Sequence, residues 1–228
     1  MNNPQPPLPV VTLDGGAASG KSSTARAIAE RLGFLHIDTG THYRAITAAA
    51  LDAGVSPDDS SALLEFLQGL SLETSIEDRA SRIVINGTAA TSAMLRSPEV
   101  NQAVSHFAAI PVVRETVFAY QRAQLTVATK EGFPGLVMEG RDIGSIIFPD
   151  APFKFFLEAD AETRASRRAL EGQVDAVAQR DARDSTRQTA PLTCPADAVR
   201  IDTGALDLDA VVEKIIARVR EGWTSPPN

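Results

Sequence analysis

Apolar positions follow two rhythms along this chain. Short, mainly apolar runs at 10–13, 34–37, 136–138, 153–157 and 199–201 predict buried strands. Between the first two, Ala25, Ile28, Ala29 and Leu32 recur at helical spacing and Gly33 closes the segment, so a helix is predicted over 21–32. Strand, helix, strand in that order is a βαβ unit, which implies a parallel sheet. Further helices are predicted over 43–53, 60–70, 99–109, 112–129, 161–170 and 208–219, with Pro111 separating the third from the fourth and a polar helix continuing past Gly172 to about 186. The stretch 71–87 changes character: strand-like runs at 72–75 and 82–85 flank a polar turn, the pattern of a hairpin. There is no internal repeat, low-complexity tract or linker. The expected architecture is one α/β domain of three layers with an insertion near 71–112.

Length and composition agree with a single domain. The chain has 228 residues, 43% of them hydrophobic, enough for one sizeable core. Its formal net charge is −7, which argues against a large nucleic-acid or membrane surface, because those partners are themselves anionic. Four of the 22 basic residues are Lys and the other eighteen are Arg, whose flat fork of donors fits phosphate oxygens in pairs. The single cysteine, Cys194, allows no intrachain disulfide. Residues 1–9 are polar and Pro-rich, without the basic start or apolar stretch of a signal peptide, and a cytoplasmic protein is expected. His42 and His106 have no metal-ligand spacing with Cys194, His36 reads as packed or hydrogen-bonded, and Trp223, in a polar tail, carries no argument.

Chemistry enters at Gly15-Gly16-Ala17-Ala18-Ser19-Gly20-Lys21-Ser22, which fits the phosphate-loop pattern G-x-x-x-x-G-K-[ST] between a strand and a helix. Small residues let the loop curl so that backbone N–H groups point at an anion, and the helix N-terminus adds partial positive charge. ATP is therefore expected on residues 15–23, Ser23 included, with Lys21 at the β- and γ-phosphates and the Ser22 hydroxyl in the shell of an accompanying Mg²⁺. GTPases, ATPases and kinases share such a loop. A base-reading N-K-x-D segment is absent, and the strand at 136–138 runs into Glu139-Gly140-Arg141-Asp142, which sets an Arg beside the acids. An Arg facing a phosphate loop suggests a second anionic substrate. Arg44, just past the second strand, and the group Arg164, Arg167, Arg168, Arg180, Arg183 and Arg187 point the same way, although each alone could be a solvated ion pair.

Six blocks in order give the chain its resemblance to bacterial cytidylate kinases, within the nucleoside monophosphate kinases. They are D-G-x-x-x-S-G-K-S, D-T-G-x-x-Y-R at 38–44, I-P-x-V-R-E at 110–115, M-E-G-R-D-I-G at 138–144, F-P-D-A-P at 148–152 and R-D-x-R-D-S-x-R at 180–187. The resemblance implies a P-loop kinase fold with core 9–70 and 113–228, a monophosphate-binding insertion at about 71–112 and a short lid at about 169–179. It implies that Ser105, Arg114 and Asp142 meet the cytosine base, that Arg180 and Asp184 hold the ribose, and that Arg44, Arg141 and Arg187 hold the CMP phosphate, with Thr39 in the same acceptor site. Lys21, Arg164 and Arg168 are the expected catalytic cations, although the shortened segment after Arg168 leaves open which of Arg164, Arg167 and Arg168 touches the moving phosphoryl group. The expected partners are ATP and CMP or dCMP, with no nucleic-acid polymer and no membrane, in a monomer. Kinases acting on UMP, AMP, dTMP or a small alcohol, a regulator that holds ATP without transfer, and a nucleic-acid kinase, which the acidic balance disfavours, are the rival readings.

Overall fold

The computed structural model describes residues 8–170 and 192–223, and of Arg168 the backbone alone. Of the predicted lid at about 169–179 only residues 169 and 170 are described; the remainder, as well as Arg180, Asp184, Arg187 and the polar helix past Gly172, lies outside the described residues.

Five strands form the parallel heart of the sheet: β1 (Val10–Gly15), β2 (Leu35–Asp38), β6 (Leu136–Gly140), β7 (Phe153–Glu158) and β8 (Val199–Asp202), in the order β2-β6-β1-β7-β8. All six residues of β1 are buried, as expected for a central strand covered on both faces. Successive side chains go to opposite layers. Val11, Leu13 and Val137 pack with Ile28 of α1 (Lys21–Leu32) and with Val212, Ile215 and Val219 of the last helix, α8 (Leu208–Gly222). Val10, Leu136 and Met138 face the other way, onto Ala128 of α6 (Pro111–Lys130).

The hairpin of β3 (Leu72–Glu77) and β4 (Ala80–Ile85) extends this sheet through one parallel pairing, His36 with Ala80. Its two turn residues, Asp78 and Arg79, both have positive φ (46° and 64°), the backbone a tight two-residue hairpin needs. The stretch continues through β5 (Thr88–Ala89), α4 (Ser92–Leu95) and α5 (Pro98–Phe107). It shares a core with α2 (Thr39–Asp52), α3 (Ser60–Gln68) and α6: Ile83, Leu95 and Phe107 pack with Ile46, Leu63 and Val117. The helix α7 (Ala161–Leu170) completes the described elements, and none of the described helices is long and apolar enough to cross a membrane.

Three sequence expectations are corrected. The second helix starts at Thr39 rather than 43, because the Asp38 carboxylate accepts from the Gly40 N–H at 2.9 Å and caps it. Residues 143–147, with no predicted element, form a single π-helical turn in which the Phe148 N–H donates to the Ile143 carbonyl at 2.7 Å. Trp223 packs edge-on against Phe34, ring centroids 5.0 Å apart, and so covers one end of the α1–α8 core.

One buried group leaves a pH signature. His42 on α2 is fully buried, stacks edge-on against Tyr120 at 4.9 Å, and has no hydrogen-bond partner for either ring nitrogen among the described residues. Burial pushes its pKa down from 6.5 to about 3. The unfolded chain thus takes up a proton first as pH falls through 6.5, and stability is lost from there towards pH 3. At pH 5 the loss is about 2 kcal/mol. His42→Met is expected to remove it. Urea unfolding of both proteins at pH 7.5 and 5 should show the variant's advantage growing by about 2 kcal/mol; an advantage equal at both pH values would mean that His42 is not held neutral.

Candidate functional site

The site opens where the parallel strands end, the usual ligand crevice of such a sheet. β1 turns at Gly15 into the loop that leads to α1. A Cβ on Gly15 would fall 2.1 Å from the Leu157 carbonyl oxygen of β7, so only glycine lets the loop leave so close to its neighbouring strand. Ala18 takes a left-handed conformation (φ 57°), and Gly20 (φ 87°) caps α1 without a side-chain partner, leaving first-turn N–H groups directed towards a ligand. Lys21 reaches back across the loop, its Nζ donating to the Gly16 carbonyl at 2.5 Å and to Ser19 Oγ at 3.3 Å. An ammonium beside a helix N-terminus suits a polyphosphate.

Residues beyond the motif hold this loop in place. Thr203, after β8, donates its hydroxyl proton towards the Ser19 carbonyl (3.0 Å). Arg167 of α7 donates to Thr203 Oγ1 (3.0 Å), to the Thr203 carbonyl (2.7 Å) and to the Ala18 carbonyl (3.4 Å). Arg167 is therefore a clamp on the loop. Arg164 also touches the loop, donating to the Ala17 carbonyl at 3.3 Å. The side chain of Arg168 lies outside the described residues.

Facing the loop is a cavity of about 1150 Å³, larger than the usual 300–1000 Å³ of a single small-molecule site. The loop from Ala17 to Ser23 lines it, and so do Thr39, Arg44, Ser105, Arg114, Arg141 and Asp142. Asp14 organises the turn after Arg141 and Asp142. Its carboxylate accepts from the N–H groups of Ile143 (2.8 Å) and Gly144 (2.7 Å), so β1 fixes the π-helical turn that follows Arg141 and Asp142. Burial pushes the Asp14 pKa up to about 6 despite those two bonds.

Arg114, in the first turns of α6, forms a buried ion pair with Asp142, donates to the Ala108 carbonyl at 3.2 Å, and lies 5.5 Å over the Tyr43 ring. Arg141 donates to the Gly15 carbonyl at 3.1 Å, which brings it to the phosphate loop. Arg44 ties α2 to α4 and α5, donating to the Leu95 carbonyl (2.8 Å) and Asn101 Oδ1 (2.7 Å). Thr39 spends its hydroxyl proton on the Glu139 carbonyl at 2.7 Å.

Sequence reasoning gave Glu139 no role and left His36 as a generic packed or hydrogen-bonded residue. Glu139 is 2% exposed at the end of β6; its Oε2 accepts from Ser22 at 2.7 Å and its Oε1 lies 2.9 Å from His36 Nε2. Burial, together with the neighbouring Glu139 charge, holds Asp38 above the usual carboxylate range, and His36 partly offsets this. A hydroxyl and a carboxylate meeting beside a phosphate loop are hard oxygen donors, the set Mg²⁺ takes when it arrives with a nucleotide.

This combination has relatives. A family model described as cytidylate kinase matches residues 11–221. The chain belongs to the cytidylate kinase family. Cytidylate kinases similar to it include those of Geobacillus sp. strain WCH70 (41% identical; 92% of this chain and 96% of that one) and Methylococcus capsulatus strain Bath (40%; 95% and 99%). The Geobacter sulfurreducens cytidylate kinase is 38% identical over 96% of this chain and 95% of its own. One continuous cavity is thus lined both by the phosphate loop and by Arg44, Arg114 and Arg141.

Proposed function

We propose that this chain transfers the γ-phosphoryl group of ATP to CMP or dCMP, giving ADP and CDP or dCDP. The observation that carries the reading is the buried Arg114–Asp142 pair in the cavity that Lys21 also lines. Cytosine offers O2 and N3 as acceptors and an exocyclic amine as donor, so an Arg and a carboxylate side by side match its edge. Ser105 belongs to the same base-reading group. Arg44 and Arg141 bind the acceptor phosphate, a role also assigned to Arg187, while Arg180 and Asp184 are assigned to the ribose; Thr39 acts by fixing Glu139.

An acceptor phosphate oxygen attacks the γ-phosphorus as the bond to the β,γ-bridging oxygen breaks, and ADP leaves with that electron pair. The attacking group has a second pKa near 6, so it is already mostly ionised and no general base is assigned. The difficulty is to bring two anions into line. Lys21 and Arg164 screen the repulsion and stabilise charge on the moving group, with Arg168 assigned to the same task. Mg²⁺ bound with ATP, at Ser22 and Glu139, would neutralise further charge on the β- and γ-phosphates. A monomeric cytoplasmic enzyme is part of the same reading.

The test is ADP release from ATP–Mg²⁺ with CMP, dCMP, UMP, AMP and dTMP offered separately, and with no acceptor. Fast turnover is expected with CMP and dCMP, slower turnover with UMP, and almost none in the blank. Steady ATP loss in the blank, unaffected by any monophosphate, would leave the phosphate loop intact as a reading and remove the acceptor site.

A further inference from the structure

We infer that His36 is a positioning residue for the magnesium-facing edge of the site, acting through Glu139 on the Ser22 hydroxyl. The inference rests on the proposed reading of the loop as an ATP–Mg²⁺ site. His36 lies on β2, where strand alternation sends Leu35 and Ile37 into the α6 core and turns His36 and Asp38 to the opposite face. The imidazole is 7% exposed and its Nε2 lies 2.9 Å from Glu139 Oε1. Because an ionised carboxylate only accepts, the proton between them is on Nε2 and the ring donates.

Glu139 is thereby held at three points. His36 binds Oε1, Ser22 donates to Oε2 at 2.7 Å, and Thr39 donates to the main-chain carbonyl at 2.7 Å. The Ser22 bond decides the chemistry. A hydroxyl has one proton and two lone pairs, and commitment of the proton to Glu139 leaves the lone pairs to serve a cation. That alignment persists only while the carboxylate keeps its rotation about its own axis, and the His36 N–H is the side-chain contact that fixes the oxygen not occupied by Ser22. Partners one step removed from a metal set the orientation of its ligands, and their loss typically weakens metal affinity about tenfold or more.

The experiment is calorimetric titration of ATP, without an acceptor, into wild type, His36→Leu, His36→Met and His36→Gln, once in EDTA and once in Mg²⁺. Leu and Met fill the space without an N–H; Gln restores an amide donor near the position of Nε2. In the Leu and Met variants ATP–Mg²⁺ affinity is expected to fall about tenfold with metal-free affinity unchanged, and Gln should return it to within about twofold of wild type. Two chemically different donor-less variants guard against one that fails to fold, which circular dichroism would reveal. In a Glu139→Gln background, His36→Leu should cost nothing more. Equal losses with and without Mg²⁺, or no loss in either condition, would overturn the role of His36. A wild type whose ATP affinity ignores Mg²⁺ would instead overturn the reading of the loop itself, which separates the two failures.

Discussion

Lys21→Ala is expected to lower kcat for CMP phosphorylation by about a thousandfold or more while the protein remains folded. Lys21 is the only lysine lining the cavity formed by the described residues, and its Nζ spans the phosphate loop from Gly16 to Ser19. An ammonium placed where charge develops during phosphoryl transfer stabilises the transition state more than the ground state, and removing such a group costs about 4 kcal/mol, or about a thousandfold. The structural cost is smaller. Lys21 is half-buried in the first turn of α1, so its ammonium keeps part of its hydration and the helix does not depend on it. Lys21→Arg should not rescue turnover, since a planar fork cannot arch over a loop shaped for a compact point charge. Steady-state kinetics alongside a thermal melt checks both halves. Near-normal turnover in a folded Lys21→Ala protein would remove the loop from the reaction.

The parts of this molecule that were legible in its sequence are those whose physics is local. The change from strand rhythm to helical rhythm across a glycine-rich turn placed β1, the phosphate loop and α1, because each depends on neighbours within a few residues. What stayed hidden needed partners far along the chain. The Trp223–Phe34 contact joins the two ends of the domain, and nothing near Trp223 announces it. The π-helical turn at 143–147 has no periodicity of its own; it is held by Asp14, more than a hundred residues earlier. The start of α2 was readable in principle, since Asp38 followed by Thr-Gly-Thr is a capping signal just past the predicted strand. The motif resemblance proposes an acceptor site, yet it does not tell that Arg167 grips the loop through Thr203. That distinction depends on where β8 ends relative to α7. His36 lay between: alternation along β2 puts it on the face of Asp38, but Glu139 as its partner follows only from the β2–β6 register, in which Asp38 stands beside Glu139.

The second large effect is expected at Arg114, and it should separate base recognition from phosphate recognition. Arg114 and Asp142 are 6% and 5% exposed and paired with each other. Removing one member of a buried pair leaves the other charge without compensation, at a cost of about 3–5 kcal/mol. Arg114→Ala should therefore lower stability as well as kcat/KM for CMP, and the fold is best preserved in Arg114→Lys, which keeps the charge and gives up the fork. For Arg114→Lys the expected loss in kcat/KM for CMP is about tenfold to a hundredfold, with the KM for ATP unchanged, because one directed hydrogen bond to a base edge contributes about 1–3 kcal/mol of discrimination. UMP should lose less, so the preference for CMP over UMP collapses. Arg44→Ala makes the contrast, since its proposed ligand is the phosphate that every monophosphate carries: CMP and UMP should weaken by the same factor and the preference should survive. Arg187→Ala is expected to follow Arg44→Ala. If Arg114→Lys and Arg44→Ala changed CMP and UMP alike, the base would have to be read elsewhere. If Arg114→Lys raised the KM for ATP as well, the pair would be acting through Asp142 and the wall behind it, where Asp14 secures the turn after Arg141 and Asp142.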